Sequence, residues 1–173
     1  KRHEDWLSTT TVLFNPNDGY VYLGLTKMNG DVFYRFDRET HECECLDYLS
    51  VRAEREVKIH RSLEIAPDGR IFGGCAGLIT LKERISAPGG QLWSWDPASK
   101  SSDVDGAPMP GDYIQHITAD FSRNLVYGCT YPVPWFFVYD LEARKTIRSI
   151  FTGALPHKSA VDDDGFVWSG YSP

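Results

Sequence analysis

Apolar and polar residues alternate along most of this chain in short runs, broken by clusters of Gly, Asp, Asn and Pro. A period of two puts successive side chains on opposite faces of a strand, and the clusters supply turns. Four segments repeat one pattern of turn, apolar strand with an aromatic, then glycine: NDGYVYLGLT (17–26), DGRIFGGCAG (68–77), SRNLVYGCTY (122–131) and DGFVWSGYSP (164–173). Their aromatics, Tyr22, Phe72, Tyr127 and Trp168, stand 50, 55 and 41 residues apart. A second pattern follows each of the first three: FYRFDRETHEC (33–43), LWSWDPASKSS (92–102) and FFVYDLEARKT (136–146), each an alternating strand that ends in aromatic-Asp. One more apolar strand precedes each unit: STTTVLF (8–14), RSLEIA (61–66), YIQHITA (113–119) and HKSAV (157–161). VKIH (57–60) and TIRSIF (146–151) fit outer strands or connections.

Four antiparallel strands recurring every 41 to 55 residues predict an all-β fold of the β-propeller kind. A β-sandwich is the structural alternative, but it does not call for the same strand-turn-strand-loop-strand order three times over. The blades fall at roughly 8–50, 59–105 and 113–150, with an incomplete one at 157–173, so residues 1–173 read as part of a single propeller domain. About three and a half blades do not close a ring, which commonly has six to eight. We therefore expect the remaining blades of the same protein to close it, a ring built from several copies being the alternative.

Trp95-Asp96 is similar to the WD dipeptide, although no Gly-His pair precedes it in any repeat. The set Tyr127-Gly128, Thr130, Pro132 and Phe137-x-Tyr139-Asp140 resembles propellers grouped with streptogramin lyases, SMP-30-like lactonases and uronate polysaccharide lyases. That resemblance implies a site on the face built from the second-to-third-strand loops, around the channel mouth, and a carbohydrate-active function.

Composition narrows the field. The net charge of -6 and the lack of any Lys/Arg block argue against nucleic acid, and no apolar run approaches a membrane span. The opening KRHEDWLS is not a signal peptide, so we expect either a removed leader or a piece of a longer chain. Cys43 and Cys45 are spaced too closely for the usual zinc pairing, and Cys75 and Cys129 read as small buried hydrophobes.

Candidate chemistry gathers on one face. The first-to-second-strand turns PNDG, APDG, DFSRN and DDDG are short and structural, and Asp162-Asp163-Asp164 is a solvated turn rather than a calcium loop. The opposite loops vary: TKMNGD, GLITLKERISAPGGQ and YPVPW. The second is long enough to overhang the channel and carries Lys82, Glu83 and Arg84; the third stands between Tyr131 and Trp135. His60, His116 and His157 fall at one level of three successive first strands, with Thr10 or Thr11 in the first unit. Each imidazole by itself reads as a hydrated channel residue; together they could hold a divalent metal ion or a ligand. His3 and His41 read as surface residues.

These residues suggest β-elimination on a uronate-containing saccharide, which needs a carboxylate neutraliser, a base and an acid. We assign Arg61 to the first role, His116 or His157 to the second and Tyr131 to the third, with His60, Trp135, Lys158 and Arg84 binding the saccharide. A lyase of this kind favours a secreted or periplasmic protein. The alternatives are a non-catalytic propeller that binds a glycan or protein on the same face, and a metal-dependent lactonase, for which Glu64 and Asp120 are poorly placed acids.

Overall fold

A computed structural model describes residues 7–46, 51–53 and 55–171. His3 therefore lies outside the described residues. The fold is all-β: the described residues form fourteen strands, with a 3-10 turn at Glu83–Ser86. Three antiparallel four-stranded meanders follow one another, paired in chain order. The first is β1 (Ser8–Phe14), β2 (Val21–Thr26), β3 (Phe33–Phe36) and β4 (Cys43–Cys45). The second is β5 (Glu56–Ile65), β6 (Ile71–Gly77), β7 (Leu92–Asp96) and β8 (Ser101–Gly106). The third is β9 (Tyr113–Asp120), β10 (Leu125–Tyr131), β11 (Trp135–Asp140) and β12 (Lys145–Phe151). A two-stranded unit, β13 (Pro156–Val161) with β14 (Val167–Tyr171), comes last. A single bridge, Thr26 to Lys58, joins the first two meanders into one sheet. VKIH is no outer strand; it is the leading half of the long first strand β5. TIRSIF does form an outer strand, within β12.

The aromatic-Asp repeat has a local cause. Asp37 accepts the backbone N–H groups of Glu39 and Thr40, Asp96 that of Ala98, and Asp140 those of Glu142 and Ala143. Each carboxylate closes the turn from third to fourth strand, as Asp does through local backbone bonds. Four residues beyond each Asp the chain turns left-handed, at His41 (φ 59°), Lys100 (52°) and Arg144 (50°). Trp95-Asp96 is thus the second member of a turn device that recurs in each meander.

The glycines of the second strands make room for aromatics. A Cβ on Gly73 would lie 2.1 Å from the Trp93 ring, and one on Gly128 would lie 2.4 Å from Phe137. The cores lie between meanders as well as within them. Tyr22 and Phe33 pack with Ile59, Leu63, Trp93 and Trp95, while Leu92 packs with Ile114, Ile117, Val126, Phe137 and Tyr139. Neighbouring first strands touch in sequence: β1 with β5, β5 with β9, and β9 with β13. Cys75 and Cys129 are buried, and Trp93 Nε1 donates to Cys75 Sγ at 3.2 Å.

Candidate functional site

Every first strand is irregular at the same level. Pairing slips between Thr9 and Thr11 in β1, between Ile59 and Leu63 in β5, at Gln115 in β9, and between Pro156 and Ser159 in β13. The inserted residues are therefore Thr10, His60-Arg61-Ser62, Gln115 and His157-Lys158. Bulges re-aim side chains beside functional sites, and the one in β5 holds Arg61 at φ 52°, a left-handed conformation uncommon outside glycine.

The bulge polar groups stitch each meander to the next. Thr10 Oγ1 donates to the Ile59 carbonyl (2.6 Å), and His60 Nδ1 donates to the Gln115 carbonyl (3.0 Å). His116 Nε2 lies 3.0 Å from Ser159 Oγ, and Thr118 Oγ1 donates to the Ser159 carbonyl (2.6 Å). Ser159 Oγ continues to Ser169 Oγ at 2.6 Å.

This corrects two assignments. The His116 imidazole is fully buried and spans an inter-meander joint, so it does not reach a ligand at the mouth as a base must. Burial, reinforced by Lys158, pushes its pKa down to about 4, opposed only by the Pro156 carbonyl, which lies outside good hydrogen-bond geometry. His60 is half-buried and also lowered, first by burial and then by the nearby Lys58 and Arg61 cations. Nor do His60, His116 and His157 assemble as ligands: among the described residues no group of three His, Cys, Asp or Glu side chains could hold a metal ion.

The exposed side chains of these bulges are cationic. Arg61, His157 and Lys158 are exposed. The Arg61 guanidinium reaches the His157 carbonyl at 3.4 Å, which brings the second and fourth units together. Lys158 Nζ donates to Glu64 Oε1 and to the Ile117 carbonyl, both at 2.7 Å. Burial raises the Glu64 pKa and the Lys158 ammonium opposes that rise. Lys58 adds a further cation whose pKa burial and Arg61 push down. Arg61, Glu64 and Lys158 line an open cleft of about 380 Å³ with Thr11, Val12, Leu13 and Leu63. Arg61 and Lys158 line the cleft with Glu64, and Lys58 stands near Arg61, so this surface is locally cationic in a chain of net charge -6. A second cleft of about 350 Å³ lies at the opposite turns, but its Asp68 and Arg70 already pair with each other at 2.8 Å.

Asp112 ties the long loop to the proline loop. Arg84 is not a free binding residue: Nε and Nη2 donate to the two Asp112 carboxylate oxygens at 2.6 and 2.7 Å. Asp112 is buried and also accepts the Val133 N–H at 3.4 Å. Ile79 and Ala87 lay the long loop against Tyr113. Tyr131 ends β10, half-exposed, and Pro132 follows through a cis bond. Trp135 opens β11 and its ring meets Phe151 edge-on at 5.7 Å. Sequence reasoning missed Lys58 and Asp112, and underrated Glu64. The clue for Asp112 was its place just before β9 in GDYIQH.

No family model matches the chain, and no curated protein matches it. Solved structures do. The extracellular domain of a protein described as a hybrid two component system from B. thetaiotaomicron matches 99% of this chain at 15% identity with a TM-score of 0.66. A second structure of such a domain, described as a one component system from the same organism, matches 96% at 15% identity and 0.62. Kuenenia stuttgartiensis hydrazine synthase matches 95% at 14% identity and 0.58. The chain spans 21% of each extracellular-domain chain and 42% of the hydrazine synthase chain. At this identity the likeness is one of fold. Among the described residues no helix is long and apolar enough to cross a membrane.

Proposed function

We propose that this chain is an arc of a β-propeller whose channel mouth binds a carboxylated saccharide. Support for the arc comes from the three meanders of common register, the packing of successive first strands and the cores between meanders. The single observation that carries the function is the pair Arg61 and Lys158 lining the open 380 Å³ cleft, with Lys58 near Arg61. Its size suits one or two sugar residues, within the common range for ligand clefts. Arg61 supplies a planar fork of donors for a carboxylate, and Lys158 a point charge that a ligand would share with Glu64. We place the protein outside the cytoplasm, where such polymers occur; the extracellular domains among its structural neighbours fit that placement.

Calorimetry with an oligouronate and its carboxyl-reduced counterpart tests the binding. Heat with the acidic sugar alone is expected, and equal affinity for both would overturn the reading. A lyase is the second reading, favoured by the exposed His157 beside Arg61. His157 would take the α-proton, Arg61 would neutralise the carboxylate and Tyr131 would protonate the leaving oxygen. An unsaturated product detected by ultraviolet absorbance, lost in His157→Ala while binding persists, would establish it. Binding without product would leave a non-catalytic glycan-binding propeller.

A further inference from the structure

The aromatics of the repeat differ in one respect. Tyr22, Phe72 and Tyr127 are buried, whereas their counterpart Trp168 is 66% exposed. Residues of the following meander cover the earlier ones: Trp95 meets Tyr22 at 5.7 Å, and Phe121 meets Phe72 at 5.2 Å. Glycines two positions further on show the same contrast. A Cβ on Gly24 would come within 2.8 Å of Ile59, and one on Gly74 within 2.7 Å of Ile114. Both neighbours belong to the next first strand. A Cβ on Gly170, the counterpart in β14, would meet nothing within 4 Å.

The other end of the chain carries the complementary half. Register places Thr9 where Ile59 and Ile114 stand: Thr9 pairs with Leu25, Ile59 with Cys75 and Ile114 with Thr130. By the same register Val12 corresponds to Leu63 and Ile117, yet it is 63% exposed while they are buried. In β5 and β9 the residues at the Thr9 position rest on Gly24 and Gly74 of the preceding second strands, while β10 carries Cys129 at the place of those glycines.

We infer that the β14 face is the acceptor half of this inter-unit joint, and that its partner is a further antiparallel unit of the same repeat. The partner's first strand carries a β-branched residue that rests on Gly170, and its body covers Trp168 and Tyr171. The inference rests on the propeller reading, because it extends the same succession of units by one. β1 of this chain meets the specification, so a second copy is the probe, and the contact is head-to-tail rather than two-fold.

Sedimentation of the purified chain over a concentration series tests it, with acrylamide quenching of Trp168 as a second readout. Association that shields Trp168 is expected. Gly170→Leu and Thr9→Lys, both at open positions that leave the monomer's packing intact, should each weaken it about tenfold or more, as loss of a central contact does. A mixture of the two variants retains one good acceptor and one good donor, and should recover a pair that stops at two chains. A monomer with open Trp168 at every concentration would overturn the inference. So would association indifferent to both substitutions, for instance through exposed Ile147, Ile150 and Phe151 of β12. Small-angle scattering of the mixed pair separates the two ideas: a pair without a continued arc keeps the joint and removes the propeller, and an arc-shaped monomer that never pairs does the reverse.

Discussion

His116 should make this protein acid-labile in a way that can be calculated. Its imidazole is buried beside Ser159 with a pKa held down to about 4, whereas an unfolded histidine titrates near about 6.5. The folded state thus binds the proton more weakly than the unfolded one. The stability contributed by keeping the ring neutral is fully present above the unfolded value and is lost as pH falls through the window between the two. That difference amounts to about 2 kcal/mol at about pH 5 and about 3 kcal/mol at about pH 4. Such a loss is a sizeable share of the ~5–15 kcal/mol that holds a domain together. Urea titrations of the wild type and His116→Gln at neutral and acidic pH isolate the contribution, since acid-induced changes at the carboxylates are common to both. Gln keeps a polar group opposite Ser159 and does not titrate. The gap between the two proteins should narrow or reverse by that amount on acidification. Parallel curves would refute the placement of a buried, neutral His116 at the joint between the third and fourth units.

Three further outcomes follow from packing. Gly24→Ala and Gly74→Ala should each cost about 1–3 kcal/mol, because the added methyl meets the neighbouring first strand, whereas Gly170→Ala should leave the melting temperature unchanged. Arg84→Ala removes both guanidinium bonds from the buried Asp112 carboxylate and should cost about 2–3 kcal/mol, below the usual penalty for a fully buried pair because Arg84 is a third exposed. Arg84→Lys should recover only part of it, since an ammonium cannot make two parallel bonds, and neither change should alter oligouronate affinity, as calorimetry would show.

The meanders were legible because alternation and turn chemistry agree over most of the chain, as in LVYGCTY and WFFVYD. The start of β5 was not, because the bulge at His60–Ser62 interrupts its alternation and makes VKIH read as a separate strand. The same bulges explain the histidines. Their common level followed from counting along the strands, but a bulge decides which way a side chain points, and a slip of one residue reverses it. So His60 and His116 turned toward neighbouring units, while Arg61, His157 and Lys158 stayed exposed. Arg84 misled for another reason. In LKERIS it looks like a solvated charge, and its partner Asp112 lies 28 residues away. The exposed Trp168 and open Gly170 are visible only by comparison with their buried counterparts, which requires coordinates.

Arg61→Ala is the most direct probe of the cationic mouth, since that side chain is exposed, sits on the left-handed bulge residue and is free of a carboxylate partner among the contacts described. Titration of an oligouronate into the wild type and this variant side by side, at low ionic strength and with folding checked by circular dichroism, should show affinity falling at least about tenfold, as expected for a charge-assisted hydrogen bond worth about 1.5–3 kcal/mol. Equal affinity in the two proteins would contradict an acidic-saccharide site at the mouth.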